Sequence, residues 1–299
     1  MHAVDRPTYS GVQVSMDFRF IGIGVICTSL VCLSGGTVQA QMVADGIDQP
    51  EPLPPVGKEV WLSPRIRTVP KVGHGIPIRH AHHLPVLLPL WKLKTMPYNF
   101  VGYVSFLKGG MPYHGSGTVV RPRSALTCAH VLWSPETGWS SNVKFYRARW
   151  GGSYANLAWP NRIYIHGNYQ PNALVYGVNS SYTFAWDIGW MRFSRLLASG
   201  GYSGYATNYR ALIGRNYCIA VGYGGGWYPK YSEPSRGYVE WGKTAYFTNF
   251  SYDHQGGMSG GPIFANIQGR LYESAVVVSS GGGVRAIDSY VFSQIKRLP

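Results

Sequence analysis

Between Phe100 and Ser279 the chain breaks into ten short runs rich in β-branched and aromatic residues, with turn-forming residues between them. They are Phe100–Leu107, Gly117–Val120, Ala125–Cys128, Val143–Trp150, Arg162–His166, Ile188–Phe193, Cys218–Gly222, Gly237–Phe250, Pro262–Asn266 and Leu271–Ser279. Runs of this length and composition are strands. Punctuation this dense leaves no space for long helices. One helical signal stands at the C-terminus, where Asp288 or Ser289 offers a cap and Val291, Phe292 and Ile295 share a face. The pattern predicts an all-β chain of barrels or a sandwich, ended by a helix. From Tyr98 onward there are 29 Gly and 38 aromatics in 202 residues, which suits tight turns and half-buried strands. Charged residues are only 13%, too few for a disordered chain or a coiled coil. The glycines follow no three-residue period, which excludes collagen.

The region before Tyr98 differs. Residues 1–40 read as a secretory signal: Arg19 gives a positive start, Phe20–Leu33 is an apolar stretch of 14 residues, and Val38-Gln39-Ala40 suits cleavage before Gln41. Residues 1–15 precede Met16 and read as an upstream extension. Fourteen residues are too few to span a bilayer. The mature chain is therefore expected to be secreted or periplasmic, with no membrane association after cleavage. Residues 41–97 hold 10 of the 20 prolines, as in Glu51-Pro52-Leu53-Pro54-Pro55, and are expected to be extended and irregular, a pro-segment or linker. The folded domain is expected at 98–299. The histidines His80, His82 and His83 lie in that segment without a scaffold to orient them, so no metal is expected there. Cys27 and Cys32 leave with the signal; Cys128 and Cys218 could form one disulfide or remain two buried thiols. The net charge of +14 is scattered, which argues for a diffuse field rather than a specific nucleic-acid partner.

Three short segments carry chemistry. Ala125-Leu126-Thr127-Cys128-Ala129-His130 is a strand that delivers a histidine at its end. Trp186-Asp187-Ile188-Gly189-Trp190-Met191 sets one carboxylate among large apolar groups. Gly256-Gly257-Met258-Ser259-Gly260-Gly261-Pro262 sets a serine among glycines, where backbone N–H groups can approach a ligand. A serine hydroxyl is a poor nucleophile near neutral pH and needs an adjacent base. His130 can take its proton and return it to a leaving group. Asp187 can fix the imidazole tautomer and stabilise the imidazolium. The N–H groups of Gly257 and Ser259 can receive a developing oxyanion. The chain order separates the known arrangements of these groups. A nucleophile elbow of the α/β-hydrolase type needs a histidine after the serine, and the last histidine is His254. An aspartate ahead of the histidine would have to come from Asp45 or Asp48 in the Pro-rich segment. The order that remains is His130, Asp187, Ser259.

Thr127-Cys128-Ala129-His130, Asp187-Ile188-Gly189 and Gly257-Met258-Ser259-Gly260-Gly261-Pro262 resemble the three signatures of the trypsin/chymotrypsin superfamily. Gly115-Ser116-Gly117-Thr118-Val119-Val120 resembles the strand before the histidine strand, and Val277-Val278-Ser279-Ser280-Gly281-Gly282 the substrate-binding edge strand. The resemblance covers roughly 98–299. It implies two antiparallel six-stranded β-barrels with a C-terminal helix, and endopeptidase activity on protein or peptide substrates through an acyl-enzyme. It implies no cofactor and a monomer. A catalytically silent binding protein and an esterase on the same site are the alternatives.

Two departures bear on activation and specificity. Digestive relatives carry an aspartate before the serine, which pairs with a newly made N-terminus; here that residue is Met258. This and the scarcity of cysteines resemble the bacterial glutamyl endopeptidase-like branch. Activation is then expected to be steric release of the pro-segment, with cuts after Arg65, Arg67, Lys71, Arg79, Lys92 or Lys94. Asp253, six residues before Ser259, resembles the pocket base that selects Arg or Lys, or is a turn residue. His254, Ser279 and Gly281 are the other candidate substrate-binding residues.

Overall fold

A computed structural model describes residues 42–44, 84–207, 212, 217–232, 235–236, 246–247 and 254–299. In chain order the strands are β1 (Met42–Ala44), β2 (Val86–Leu87), β3 (Val101–Lys108), β4 (Met111–Arg121), β5 (Ser124–Thr127), β6 (Trp133–Ser134), β7 (Gly138–Trp139), β8 (Ser141–Arg147), β9 (Asn156–Ala158), β10 (Arg162–His166), β11 (Gly189–Arg192), β12 (Tyr217–Gly222), β13 (Lys230–Tyr231), β14 (Ser235–Arg236), β15 (Tyr246–Phe247), β16 (Pro262–Ile267), β17 (Arg270–Val277) and β18 (Val284–Ala286). Among the described residues five α-helices join them: α1 (Leu90–Leu93), α2 (Ala129–Leu132), α3 (Tyr169–Tyr176), α4 (Ser181–Phe184) and α5 (Ser289–Arg297).

Among the described residues the strands form two large antiparallel sheets and the separate two-stranded ribbon β6-β7. The first runs β1-β10-β11-β5-β4-β3-β8-β9, the second β15-β18-β17-β16-β12-β13-β2, with β14 also on β12. The fold is the expected all-β one, two curled sheets and a C-terminal helix, but each sheet counts eight strands among the described residues rather than six. The additions have a simple origin. The stretch before Tyr98 supplies β1, which pairs with β10, and β2, which pairs with β13. The three-residue β9 is too short to announce itself by alternation. Of the predicted strand Gly237–Phe250, only Tyr246–Phe247 is described.

Residues 84–97, grouped by composition with the Pro-rich stretch, pack onto the second sheet. Leu88 and Leu93 are buried with Val221, Tyr223 and Phe264. The Lys92 ammonium lies 4.6 Å from the Tyr231 ring and 5.1 Å from that of Tyr98. Prolines are compatible with this because they fall before or at the ends of short elements: Pro85 precedes β2 and Pro89 precedes α1.

Packing is tight where the first sheet curls. Phe145 and Phe193 fill its interior, and a methyl group at Gly102 would overlap the Phe145 ring. The helix α5 starts as expected: Asp288 Oδ1 accepts from the Val291 N–H at 2.8 Å. Its last turn is held by the first sheet, since Arg121 Nε and Nη2 donate to the carbonyls of Ile295 and Lys296 at 3.1 and 3.0 Å. Val291 and Ile295 are buried, and Phe292 packs beside them. Among the described residues no helix is long and apolar enough to cross a membrane. The secretory signal lies outside the described residues.

The disulfide left open between Cys128 and Cys218 is not formed; both are buried thiols. Cys128 follows β5 in the core of the first sheet, and Cys218 lies on β12 in a separate cluster of the second. Burial pushes both thiols up, Cys218 to about 12, which keeps them protonated.

Candidate active site

The central strands of the first sheet set two of the three groups side by side. Every residue of β5 is buried, and the strand lies between β4 and β11. Gly189 pairs with Thr127. Carried two residues further, this antiparallel register brings Asp187 alongside Ala129, next to His130. At that point the chain leaves the sheet, and the single turn of α2 carries the histidine. The Asp187 carboxylate is fully buried. Its Oδ1 accepts the His130 backbone N–H at 2.8 Å and its Oδ2 accepts Nδ1–H at 2.6 Å. One carboxylate thus fixes both the backbone and the ring of the same histidine. This assigns the ring proton to Nδ1 and leaves Nε2 with its lone pair.

Burial alone would pull the imidazolium down, but the Asp187 charge and its hydrogen bond overcome it, so the imidazole titrates well above 6.5. A quarter of the His130 side chain remains open. Its Nε2 lies 3.6 Å from Cys128 Sγ. The sequence singled out Cys128 only as a disulfide candidate, and the spacing Cys-Ala-His gives no sign of this contact. Lys108, another residue without a sequence signal, closes the other side: its ammonium donates to the His130 carbonyl. Burial lowers the Lys108 pKa, with Cys128, Asp187 and Glu136 opposing that.

Ser259 comes from the second sheet, on the turn before β16. Its carbonyl accepts the Ser116 N–H of β4 at 2.7 Å, and the Gly260 N–H donates to Val277 at 2.8 Å. Gly260 has φ +81° and lies against Thr127, so a side chain there would be both strained and obstructed. Gly257 has φ +96° and is wedged between the His114 ring and the Tyr223 carbonyl. Among the described residues, the N–H groups of Gly257 and Ser259 have no protein acceptor. Both remain available to a ligand.

His130 and Ser259 face one cavity of about 570 Å³. Among the described residues their side chains are not hydrogen-bonded to each other. Lys108, Glu136, His254, Ser279 and Ser280 are among the residues that line the cavity. His254 is buried and tied to the segment that follows β17: its backbone N–H donates to the Ser280 carbonyl at 3.0 Å, and its Nδ1 lies 2.9 Å from the Ser279 carbonyl. Ser279 Oγ in turn accepts from the Gly283 N–H at 3.1 Å. Gly281 is exposed and is not part of the lining. Asp253 lies outside the described residues.

Cys128, His130 and Asp187 place ligand atoms within 4.8 Å of one another. They do not converge on a cation, because both Asp187 oxygens are engaged by His130 and Cys128 is fully buried. Such a set lacks the three or four open ligands that zinc takes.

No family model and no curated protein matches this chain at the sequence level. Solved structures do. A Glu endopeptidase determined with MPD superposes with a TM-score of 0.53 at 18% identity, over 68% of this chain and 91% of that one. The protease Anisep from Arthrobacter nicotinovorans matches at 0.47 and 17%, over 67% of this chain and 95% of that one. A thermostable serine protease, AL20, from an extremophilic microorganism matches at 0.46 and 16%, over 67% and 95%. The chain has the trypsin/chymotrypsin-like serine peptidase fold.

Proposed function

We propose that the protein is a secreted serine endopeptidase that cleaves peptide bonds through an acyl-enzyme. One observation carries the reading: a histidine clamped twice by a buried carboxylate opens onto the same cavity as a serine flanked by unsatisfied backbone N–H groups. In this reading His130 Nε2 removes the Ser259 hydroxyl proton as Oγ attacks the carbonyl carbon. The resulting oxyanion is received by the N–H groups of Gly257 and Ser259. His130 then gives the proton to the leaving amine, and the same steps with water release the acid. Asp187 holds the tautomer and stabilises the imidazolium throughout. Nε2 lies 3.6 Å from Cys128 Sγ, so proton transfer in this reading requires the ring and the Ser259 hydroxyl to approach to hydrogen-bond distance as Oγ attacks.

That contact also motivates the second reading, a protease fold that binds without catalysis. A fluorophosphonate probe separates the two. In the endopeptidase the probe attaches to Ser259, and Ser259→Ala abolishes labelling and lowers turnover of denatured casein by about 10⁶-fold. A folded protein that neither labels nor cleaves supports the binding reading. Comparing amide with ester turnover distinguishes a peptidase from an esterase on the same residues. Peptides varied only before the scissile bond, with Asp253→Ser alongside, read the residue preference; an Arg/Lys preference that survives the substitution removes Asp253 from the pocket. The proposal places activation in the loss of residues before the packed segment, which leaves Arg65, Arg67, Lys71 and Arg79 as cut sites.

A further inference from the structure

We infer that Ser116 is the positioning residue of the oxyanion loop: its hydroxyl, on the first sheet, holds the Gly257 peptide so that the loop donates into the cavity without the ion pair that Met258 cannot form. The inference rests on the endopeptidase reading. It begins from which peptide carbonyls around the serine are tied. In a trans peptide the C=O and the next N–H point in opposite directions, so pinning a carbonyl aims the following N–H. The Gly256 carbonyl accepts the Gly225 N–H at 2.9 Å, which aims the Gly257 N–H. The Met258 carbonyl accepts the Gly261 N–H at 2.8 Å, which aims the Ser259 N–H. Between them, the Gly257 carbonyl accepts from Ser116 Oγ at 2.8 Å, which aims the Met258 N–H at the Gln255 carbonyl, 2.9 Å away, and so fixes the peptide that joins the two donors. This tie alone among the three comes from a side chain and from the other sheet.

Ser116 is built for the task. It is fully buried, and its hydroxyl also accepts the Tyr223 N–H at 2.8 Å, so its donor direction toward Gly257 is fixed. Its backbone N–H donates to the Ser259 carbonyl and its own carbonyl accepts from Thr127 Oγ1, both at 2.7 Å. Every polar group of the residue is engaged, and two of the partners belong to the Gly257–Ser259 turn itself. Space is limited on the facing strand as well: a methyl group at Gly222 would come within 2.9 Å of Ser116 Oγ. Met258 contributes packing in place of charge, its side chain buried in the second core. A loop held in this way is set by the fold, so its donating geometry does not depend on a newly released amine.

The test uses the full chain and four variants. Ser116→Ala removes the hydroxyl. Ser116→Thr and Ser116→Val have nearly equal volume and differ in the hydroxyl. Ser232→Ala removes another buried side-chain hydrogen bond of the second sheet, the one Ser232 Oγ accepts from the Ala220 N–H at 2.9 Å, away from the loop. Each is titrated with fluorophosphonate and assayed on casein. Binding is measured for a peptide aldehyde, taken from a casein site that the wild type cuts, and for the matching alcohol, which forms no tetrahedral adduct. Ser116→Ala and Ser116→Val should lower kcat by about 10- to 100-fold, less than the loss of an oxyanion donor itself. Aldehyde affinity should fall by the same factor, while alcohol affinity stays within threefold. Ser116→Thr should keep both, and Ser232→Ala should lose stability but not kcat. Aldehyde and alcohol weakening together, or Ser116→Val matching Ser116→Thr, would overturn the assignment. A wild type that is inert to probe and casein overturns the endopeptidase reading, and this assignment with it.

Discussion

Asp187→Asn gives the sharpest test of the paired hydrogen bonds at His130. The wild-type carboxylate accepts twice, from the backbone N–H at 2.8 Å and from Nδ1–H at 2.6 Å. An amide of the same shape has one acceptor and one donor end. With its oxygen toward the backbone N–H, the NH₂ faces Nδ1, which must then accept; the ring proton moves to Nε2 and the base is lost. With its oxygen toward Nδ1–H, the tautomer is right, but the NH₂ faces the His130 backbone N–H, donor against donor, in a fully buried place. Losing that bond and leaving buried donors unpaired costs about 3 kcal/mol, so on the order of one molecule in 10² keeps the competent arrangement. That fraction also lacks the negative charge that stabilises the imidazolium. Together the two effects bring the expected loss to about 10⁴-fold, roughly 5.5 kcal/mol of barrier.

The assay is kcat on a peptide ester at fixed pH, normalised to fluorophosphonate-reactive sites, with thermal unfolding to show that the variant is folded. Turnover within tenfold of the wild type would refute the reasoning, because neither amide orientation preserves both bonds. A loss equal to that of Ser259→Ala would refute the orientation argument in the other direction, because the minority arrangement should still turn over.

Four further outcomes follow from the structure. The raised His130 pKa means that the base is freed of its proton only above the ordinary histidine value, so kcat/KM should rise with pH with a midpoint above 6.5; a midpoint at or below 6.5 contradicts the ion pair. The same pair adds stability that is full below pH 6.5 and fades as pH climbs through the raised pKa. Glu273 is fully buried, and neither carboxylate oxygen has a partner among the described residues, so burial raises its pKa well above 4.5. It binds a proton more tightly folded than unfolded, and therefore costs stability as pH rises above 4.5; Glu273→Gln should raise Tm at pH 7 and lose that advantage below pH 4.5, with equal gains at both pH values counting against it. Compared with a chain starting at residue 84, one starting at 98 also loses the buried Leu88 and Leu93, about 3–6 kcal/mol at 1.5–3 each; equal unfolding midpoints of the two in urea would show that the segment is dispensable.

Local chemistry was readable, long-range chemistry was not. The histidine at a strand end, the aspartate before Ile188 and the serine among glycines each lie in a few consecutive residues whose backbone type follows from those residues. The cap at Asp288 was readable for the same reason. The role of Ser116 was invisible, since a serine in an apolar strand acquires partners only when the Gly257 turn of another sheet arrives beside it. Lys108 and the Cys128 contact are likewise products of packing. The strands β1 and β2 were hidden for a different reason: a Pro-rich composition suppresses strand calling, yet two or three residues suffice to pair with an open edge.

The arrangement also shows how residues far apart in the chain are brought to one cavity although the serine comes from a different sheet. His130 follows β5, Asp187 precedes β11, and Ser116 lies on β4, so three adjacent strands of one sheet carry the histidine, its carboxylate and the anchor of the serine turn. Ser259 is delivered by the second sheet but is tied by its carbonyl to the Ser116 N–H. The distance from imidazole to hydroxyl is therefore referred to a single pleated framework, whose spacing between hydrogen-bonded strands is fixed near 4.8 Å. Motion of the second sheet relative to the first must break the bonds to Ser116 before it can separate the two groups. Ser116 thus ties the turn twice, by its backbone N–H to the Ser259 carbonyl and by its hydroxyl to the Gly257 carbonyl, and a side-chain substitution there removes only the second tie.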